Sequence, residues 1–314
     1  MEYLVSKNGT SYETIASALR EAQKLPEGEE AVIRISAGEY RENLEITRGN
    51  LTLIGEGPDS TVIAGSLAAV EILPDGEKRG TFRTQTIYIH ADNITFENLS
   101  VINDAGDGAI AGQALALYND GDNLHFKNCV FDGFQDTIFE APLPLAEVHP
   151  GGFRGPGEFL PRVPGKRLYE DCCISGTVDF IFGGGEAEFR NCEIYSKYMA
   201  PKEVPGKDGD VGGTLAERFG YVTAASTPEG QEKGFTFIGC RFVGDAKAGS
   251  VYLGRPWRDY ATVHIENCFL GDHIHPAHWH DWSKPAAHKT ARYTEHGNFG
   301  PGDSDDIAPF AKKI

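Results

Sequence analysis

The chain has 314 residues, with 46 acidic against 29 basic side chains and a formal net charge of −17. That acidity argues against a nucleic-acid surface, since no arginine-rich stretch or zinc-finger spacing offsets it, and no run is long and apolar enough to span a bilayer. Composition shows no break between halves, so one extended domain over 1–314 is expected; 38 glycines, 17 prolines and many short runs of Val, Ile, Thr and Phe favour short strands joined by turns.

Residues 1–30 read as an N-terminal cap. Tyr3 to Val5 form an opening strand, Thr10 and Glu13 a capping box, and Ile15, Ala18, Leu19 and Ala22 the apolar stripe of a helix over residues 11–25. The opening MEYLVSKNGTSYETIASAL lacks the basic start and apolar core of a signal peptide. That points to the cytoplasm, or to export or the periplasm if a leader has been removed.

From Ala31 onward the strand-like runs share one unit: an aromatic or branched residue, two or three residues, then an apolar pair and a turn. Aligned on Phe96, Phe126, Tyr169, Phe189, Phe237 and Ile265, the units step by 30, 43, 20, 48 and 28 residues. The short steps suit one coil of a solenoid, the long ones two coils or one coil with an inserted loop. A single unit cannot bury its apolar face, so stacking must supply the core. The expected fold is all-β, a right-handed, single-stranded parallel β-helix with an N-terminal capping helix. A β-sandwich should alternate more cleanly, and a leucine-rich horseshoe lacks its leucine framework here.

Cys129, Cys172, Cys192, Cys240 and Cys268 occupy one place in successive units, with Cys173 adjacent. They read as a ladder of small buried side chains; Cys172 and Cys192 are one coil apart and within disulfide reach. The spacing lacks the paired CxxC of a structural zinc site.

Residues 140–166, rich in Pro and Gly, interrupt the repeat as a loop suited to wall a groove, and residues 197–219 offer a second rim. His273, His275, His278, His280 and His288 crowd a segment with Trp279 and Trp282. Linear density alone does not make a metal site, so an aromatic and imidazole-lined wall, or simply a packed loop, is the expectation. Residues 298–314 read as a loosely held acidic tail.

The chemistry lies in two repeats. Asp136 follows Phe126 by ten residues and Asp179 follows Tyr169 by ten. Stacked coils lie roughly 5 Å apart, which sets the carboxylates face to face. Two such charges do not both ionise cheaply, so one keeps its proton near neutral pH. Gln113 and Gln135 can donate to a developing oxyanion, Arg255 is suited to grip Asp179, and Trp257 offers a flat apolar surface. Spacing alone equally describes the acid and base of a glycoside hydrolase, or a silent binding solenoid. No GxSxG elbow is present.

Taken in order, GEYRE at 38–42, GQALAL at 112–117, FQDTIF at 134–139, GTVDFIFGGGEAEF at 176–189 and LGRPW at 253–257 resemble the pectin methylesterases, or pectinesterases. The resemblance implies a right-handed parallel β-helix that removes C6 methyl esters from galacturonosyl residues without a metal or organic cofactor. It implies Asp179 as nucleophile, Asp136 as general acid and then base, Gln113 and Gln135 as oxyanion donors, and Arg255 as the residue orienting Asp179. Trp257 is similar to the family's substrate-contacting tryptophan; Phe134, Phe182, Trp279 and Trp282 are further candidates for sugar contact. YVTAAS at 221–226 departs from the family's glutamine- and arginine-bearing version, so groove contacts there should differ. The expected partner is methylated homogalacturonan or its oligogalacturonides, with no nucleic acid or membrane, and a monomeric protein is favoured. The net charge gives a general reason to disfavour fully de-esterified polyanions.

Overall fold

The computed structural model describes residues 1–9, 12–204 and 214–314. Their strands form three long sheets in which every pairing is parallel. One has 11 strands running from Glu2–Val5 to Lys312–Lys313, the second 7 from Leu44–Ile46 to Val251–Gly254, and the third 8 from Gly38–Arg41 to Phe269–Leu270. Neighbours within each sheet follow one another in chain order, so the chain winds as a parallel β-helix with three faces per coil. Among the described residues the exception is an antiparallel hairpin of Lys202–Val204 with Thr214–Ala216.

The repeat alignment is the register itself. Phe96, Phe126, Tyr169, Phe189, Phe237 and Ile265 sit opposite one another on successive strands. Each step is therefore one coil, and the steps of 43 and 48 residues carry the insertions at 140–166 and 197–219 rather than an extra coil. Inside the solenoid, Phe126, Tyr169, Phe189 and Phe237 stack with ring centroids 4.6 Å apart at each step. Such pairs contribute about 0.5–1.5 kcal/mol each beyond their buried area.

The coil turns explain the repeated dipeptides. Asn98, Asn128, Asp171, Asn191, Gly239 and Asn267 all have left-handed backbones, with φ between 49° and 62°. Gly accepts this region freely, and Asn and Asp do so more readily than other residues. The turn then aims the next residue inward, and Leu99, Cys129, Cys172, Cys192, Cys240 and Cys268 are all buried. The cysteine ladder packs as small apolar groups: Cys192 Sγ donates to the Tyr169 carbonyl of the preceding coil at 3.5 Å and Cys240 Sγ to Phe189 at 3.3 Å. All six thiols are free, so the Cys172 to Cys192 bridge is not formed.

Both ends are closed. The helix spans Ile15–Ala22 and buries Ile15, Ala18, Leu19 and Ala22 as the stripe predicts, but Thr14 caps it, accepting from Ser17 N at 3.2 Å. Thr10 lies outside the described residues. Glu42, from the first coil, accepts from Ile15 N and Ala16 N at 2.9 and 3.0 Å, satisfying two more orphan donors. The C-terminal residues are not a loose tail: Ala308 and Ala311 join the core, Phe310 stacks on His288 at 4.7 Å, and Lys312–Lys313 pair with Thr294 and Glu295.

Because residue 191 must be left-handed at φ 52°, Asn191→Ala should cost about 1–2 kcal/mol and Asn191→Gly markedly less. Urea unfolding of the two variants measures this, and equal losses would show that the backbone conformation is not the cause.

Candidate active site

The seven-stranded sheet carries a second apolar cluster on its outer face. Phe82, Tyr118, Phe139, Phe153 and Phe182 are buried there, and Trp257 and Trp282 pack against them. Above this floor opens a cavity of about 510 Å³. Gln113, Gln135, Asp136, Asp179, Arg255 and Trp257 all line it, as do Phe182 and Trp282.

Strand register sets the two aspartates on adjacent coils. Ile138 pairs with Ile181 and Phe139 with Phe182, and Asp136 N donates to Val178 O at 3.0 Å. Both aspartates are left-handed, at φ 62° and 51°. Local strain of this kind persists where the surroundings over-determine it, as at functional sites. The strand with Asp136 is braced from behind by a buried network: Arg167 Nε lies 3.4 Å from Glu140, and Asn119 Nδ2 donates to Glu140 and, at 2.8 Å, to Tyr169 Oη. Tyr169 Oη in turn donates to Glu140, which is why the aromatic ladder has a tyrosine at this step.

Arg255 grips Asp179 with both prongs, Nε to Oδ1 at 2.8 Å and Nη2 to Oδ2 at 2.7 Å. Its guanidinium is itself clamped, 3.7 Å from the ring centre of Tyr221 and 3.7 Å from that of Trp282. Gly254 lets this strand approach its neighbour, since a Cβ there would lie 2.0 Å from Thr223 Oγ1. Geometry and charge then separate the acids. Burial, reinforced by the Asp179 charge, holds the Asp136 carboxyl well above the usual carboxylate range. Burial also raises Asp179, but the Arg255 fork opposes it, leaving Asp179 the readier of the two to ionise.

Gln113 follows the short helix Gly108–Ala111, whose N-cap Asp107 is held by Arg218 through two bonds of 2.7 and 2.8 Å. Gln135 packs against Gly108 so closely that a Cβ there would meet Gln135 Oε1 at 2.6 Å. Both amides line the same cavity as the two aspartates.

The loop 140–166 does wall the cavity, through Glu147, Val148, His149, Gly152 and Phe153. Its later part, from Leu160 to Gly165, borders a separate depression with His90 and Asp120. The described part of 197–219 contributes no lining residue; its reach to the site is the Arg218 clamp on Asp107. Phe134 also lies outside the lining, with Lys197 Nζ 4.4 Å above its ring. Trp279 is a correction: it is 2% exposed, stacked on Tyr293 at 4.3 Å, and its Nε1 donates to Glu295 at 2.8 Å, so it cannot touch a sugar. His278 belongs to the same buried network, with Nδ1 against Glu295 and Nε2 against the Gly302 carbonyl at 2.9 Å. Among the described residues, His278, Glu295 and Asp303 are the one group close enough to share a metal, but both imidazole nitrogens of His278 are already engaged.

Tyr221, Phe82, Phe153, Arg258 and Lys284 are site residues that the sequence motifs did not single out. Only Tyr221 had a signal, lying in the divergent YVTAAS stretch.

A parallel β-helix with an arginine-braced aspartate beside one whose carboxyl is raised by burial, in an aromatic-floored cleft, defines a paired-aspartate protein. The chain belongs to the pectinesterase family, whose model matches residues 2–142 and 162–307, the break falling within the loop inserted at 140–166. It is 34% identical over 313 residues to the probable pectinesterase/pectinesterase inhibitor 23 of Arabidopsis thaliana, covering 96% of this chain and 47% of that protein. To pectinesterase 31 of Arabidopsis thaliana it is 28% identical, covering 90% of this chain and 78% of that one. The chain thus spans less than half the length of several curated relatives it matches. Among solved structures it is similar to pectin methylesterase from carrot (TM-score 0.77, 27% identity, 99% of this chain and 88% of that one). It is also similar to PemA from Erwinia chrysanthemi (TM-score 0.75, 28% identity, 99% and 92%).

The raised Asp136 carboxyl makes a stability prediction. Between the ordinary carboxylate value and the raised one, the native state holds more protons than the unfolded chain, so wild-type stability falls as pH rises. Asp136→Asn removes that loss, and asparagine tolerates φ 62°. Its stability relative to wild type should climb by up to about 1.4 kcal/mol per pH unit across that window. Urea unfolding at stepped pH values checks this; parallel curves would count against a buried, neutral Asp136. A second prediction concerns Gln135: Gly108→Ala should displace it and lower kcat about tenfold or more with little change in unfolding midpoint.

Proposed function

We propose that the protein is a carboxylic ester hydrolase that removes C6 methyl esters from galacturonosyl residues of pectin or methylated oligogalacturonides, releasing methanol. The observation that carries this is the asymmetric acid pair: one aspartate gripped by the Arg255 fork, the other with its carboxyl pushed well above the usual range by burial and by the Asp179 charge. Membership of the pectinesterase family supports the choice of ester, and one relative of known structure is a pectin methylesterase in complex with a hexasaccharide.

In this mechanism the Asp179 carboxylate attacks the ester carbonyl carbon, and the carbonyl electrons move to oxygen. Gln113 and Gln135 donate to that oxyanion. As the tetrahedral intermediate collapses, the C–O bond to the methoxy group breaks and Asp136 gives its proton to the leaving oxygen. Methanol departs, leaving an acyl-enzyme on Asp179 and an ionised Asp136. Asp136 then takes a proton from water, whose oxygen attacks the acyl carbon; collapse frees the sugar carboxylic acid and regenerates both aspartates. The apolar floor of Phe82, Phe139 and Phe182 keeps the cleft suited to an uncharged ester and to apolar sugar faces.

Methylated oligogalacturonides incubated with the protein should release methanol without shortening. Shortening without methanol would favour a glycoside hydrolase instead. Asp179→Asn should abolish turnover while remaining folded, and Gln113→Ala should cost about 2–4 kcal/mol in transition-state stabilisation. For wild type, kcat/KM should fall as pH rises through the elevated Asp136 value, because the proton donor is lost, and fall at low pH as Asp179 protonates. A flat profile would remove both assignments.

A further inference from the structure

Gln135 leans on a turn that its own sequence holds poorly. The helix Gly108–Ala111 is a single turn, too short to persist by itself. It lies between Gly106 at φ 100° and Gly112 at φ 70°, and its one large side chain, Ile110, is 81% exposed. Its position is therefore set from outside. The C-terminal end is tied to the neighbouring segment, where Val70 N donates to Ala111 O at 3.3 Å and Ala69 N to Gln113 O at 3.0 Å. The N-terminal end has a different anchor.

That anchor is Asp107. Its carboxylate accepts from Ala109 N at 2.8 Å and from both prongs of Arg218, at 2.7 and 2.8 Å. The two side chains are 17% and 29% exposed, whereas the adjacent pair of Lys247 with Glu217 is 46% and 68% exposed. A sheltered, two-pronged arginine bond fixes direction as well as charge, which a solvated surface pair does not. The bonds to Arg218 also hold the Asp107 carboxyl below its ordinary range, so the pair survives mild acid. Arg218 stands at the end of the insertion 197–219, two residues before the strand Gly220–Ala225, and Phe219 packs on Tyr252 at 5.7 Å. The fork thus reaches from a regular coil of the solenoid to a turn that has little support of its own.

What the turn touches is Gln135. Gly108 lies so close that a Cβ there would meet Gln135 Oε1 at 2.6 Å and Gln135 Cβ at 2.7 Å. With Oε1 against the helix, the amide donors are left for Asp136. Burial and the Asp179 charge raise the Asp136 carboxyl, and Arg255 and the hydrogen bond from Gln135 oppose them. A drift of Gly108 moves this side chain, and a misplacement of 1 Å can cost about 10²-fold in rate.

We propose that Arg218 is a positioning residue: through Asp107 it pins the turn at Gly108 onto Gln135 and holds that amide where turnover requires it. The kinetic part of the inference rests on the esterase reading. The insertion at 197–219 thereby sets the rate without lining the cavity.

Two measurements test this: methanol release from methylated oligogalacturonides, and titration of Asp136 by carbon-13 NMR of carboxyl-labelled aspartate, with Asp136→Asn assigning the signal. Arg218→Gln should lower kcat about tenfold while KM changes by less than about twofold and the urea midpoint changes little. In the same variant the Asp136 titration and the alkaline limb of kcat/KM should move to higher pH, because a bond to the ionised carboxyl is lost. Asp107→Asn, which keeps an acceptor for Ala109 N, should do the same, and combining it with Arg218→Gln should add nothing further. In a Gln135→Ala background, Arg218→Gln should be silent. An unchanged kcat, a loss that persists in full without the Gln135 amide, or an unmoved Asp136 titration overturns the proposal. A wild type that releases no methanol while its Asp136 titration still depends on Arg218 overturns the esterase reading and keeps the positioning role.

Discussion

Everything in the molecule depends on the vertical register of its coils. A left-handed residue at 98, 128, 171, 191, 239 and 267 turns each coil at the same point, and the side chain after it drops into the core. The aromatic stack at 126, 169, 189 and 237 penalises any slip, because a one-residue shift would turn buried rings toward solvent. That register is what brings Asp136 beside Asp179. Two carboxylates 43 residues apart in the chain become neighbours through the pairing of Ile138 with Ile181, without any local motif linking them.

The site sets burial against charge. Burial raises both carboxyls, and a single well-made ion pair decides which one ionises first. The two prongs of Arg255 serve Asp179 alone, and Tyr221 and Trp282 hold the guanidinium in its plane. Arginine suits this role better than lysine because its planar fork matches a carboxylate while its faces stack on aromatic rings. Deeper still, Glu140, Arg167, Tyr169 and Asn119 form a buried network of hydrogen bonds and an ion pair on the strand that follows Asp136. Breaking one member would leave a charge unpaired in the core, so the strand has little freedom to move.

Insertions make the cleft specific. The regular coils provide a flat sheet, and the outer apolar cluster forms where Phe82 and Phe153, from segments outside the repeat, fold over Phe139 and Phe182. The long loop from 140 both walls the cavity and accepts from Arg258 through Ala146. Cavity charge is therefore set by a few side chains on these excursions, and overall composition says little about it.

The sequence by itself determined the solenoid, its register and the polar residues that line the cleft. Repeat spacing identifies the coils because each turn needs Asn, Asp or Gly and each coil needs the same inward residues; Gln113, Gln135, Asp136, Asp179 and Arg255 lie in motifs whose order is specific. Tertiary structure alone decided what the irregular segments do. Trp279 and Trp282 are three residues apart, yet one is sealed against Tyr293 and Glu295 while the other lines the cleft. Lys284 and Arg258 meet on a single carbonyl oxygen although 26 residues separate them, and Arg218 reaches Asp107 across 111. No periodicity marks such positions, because side chains outside the repeat take their direction from the partners they meet in space.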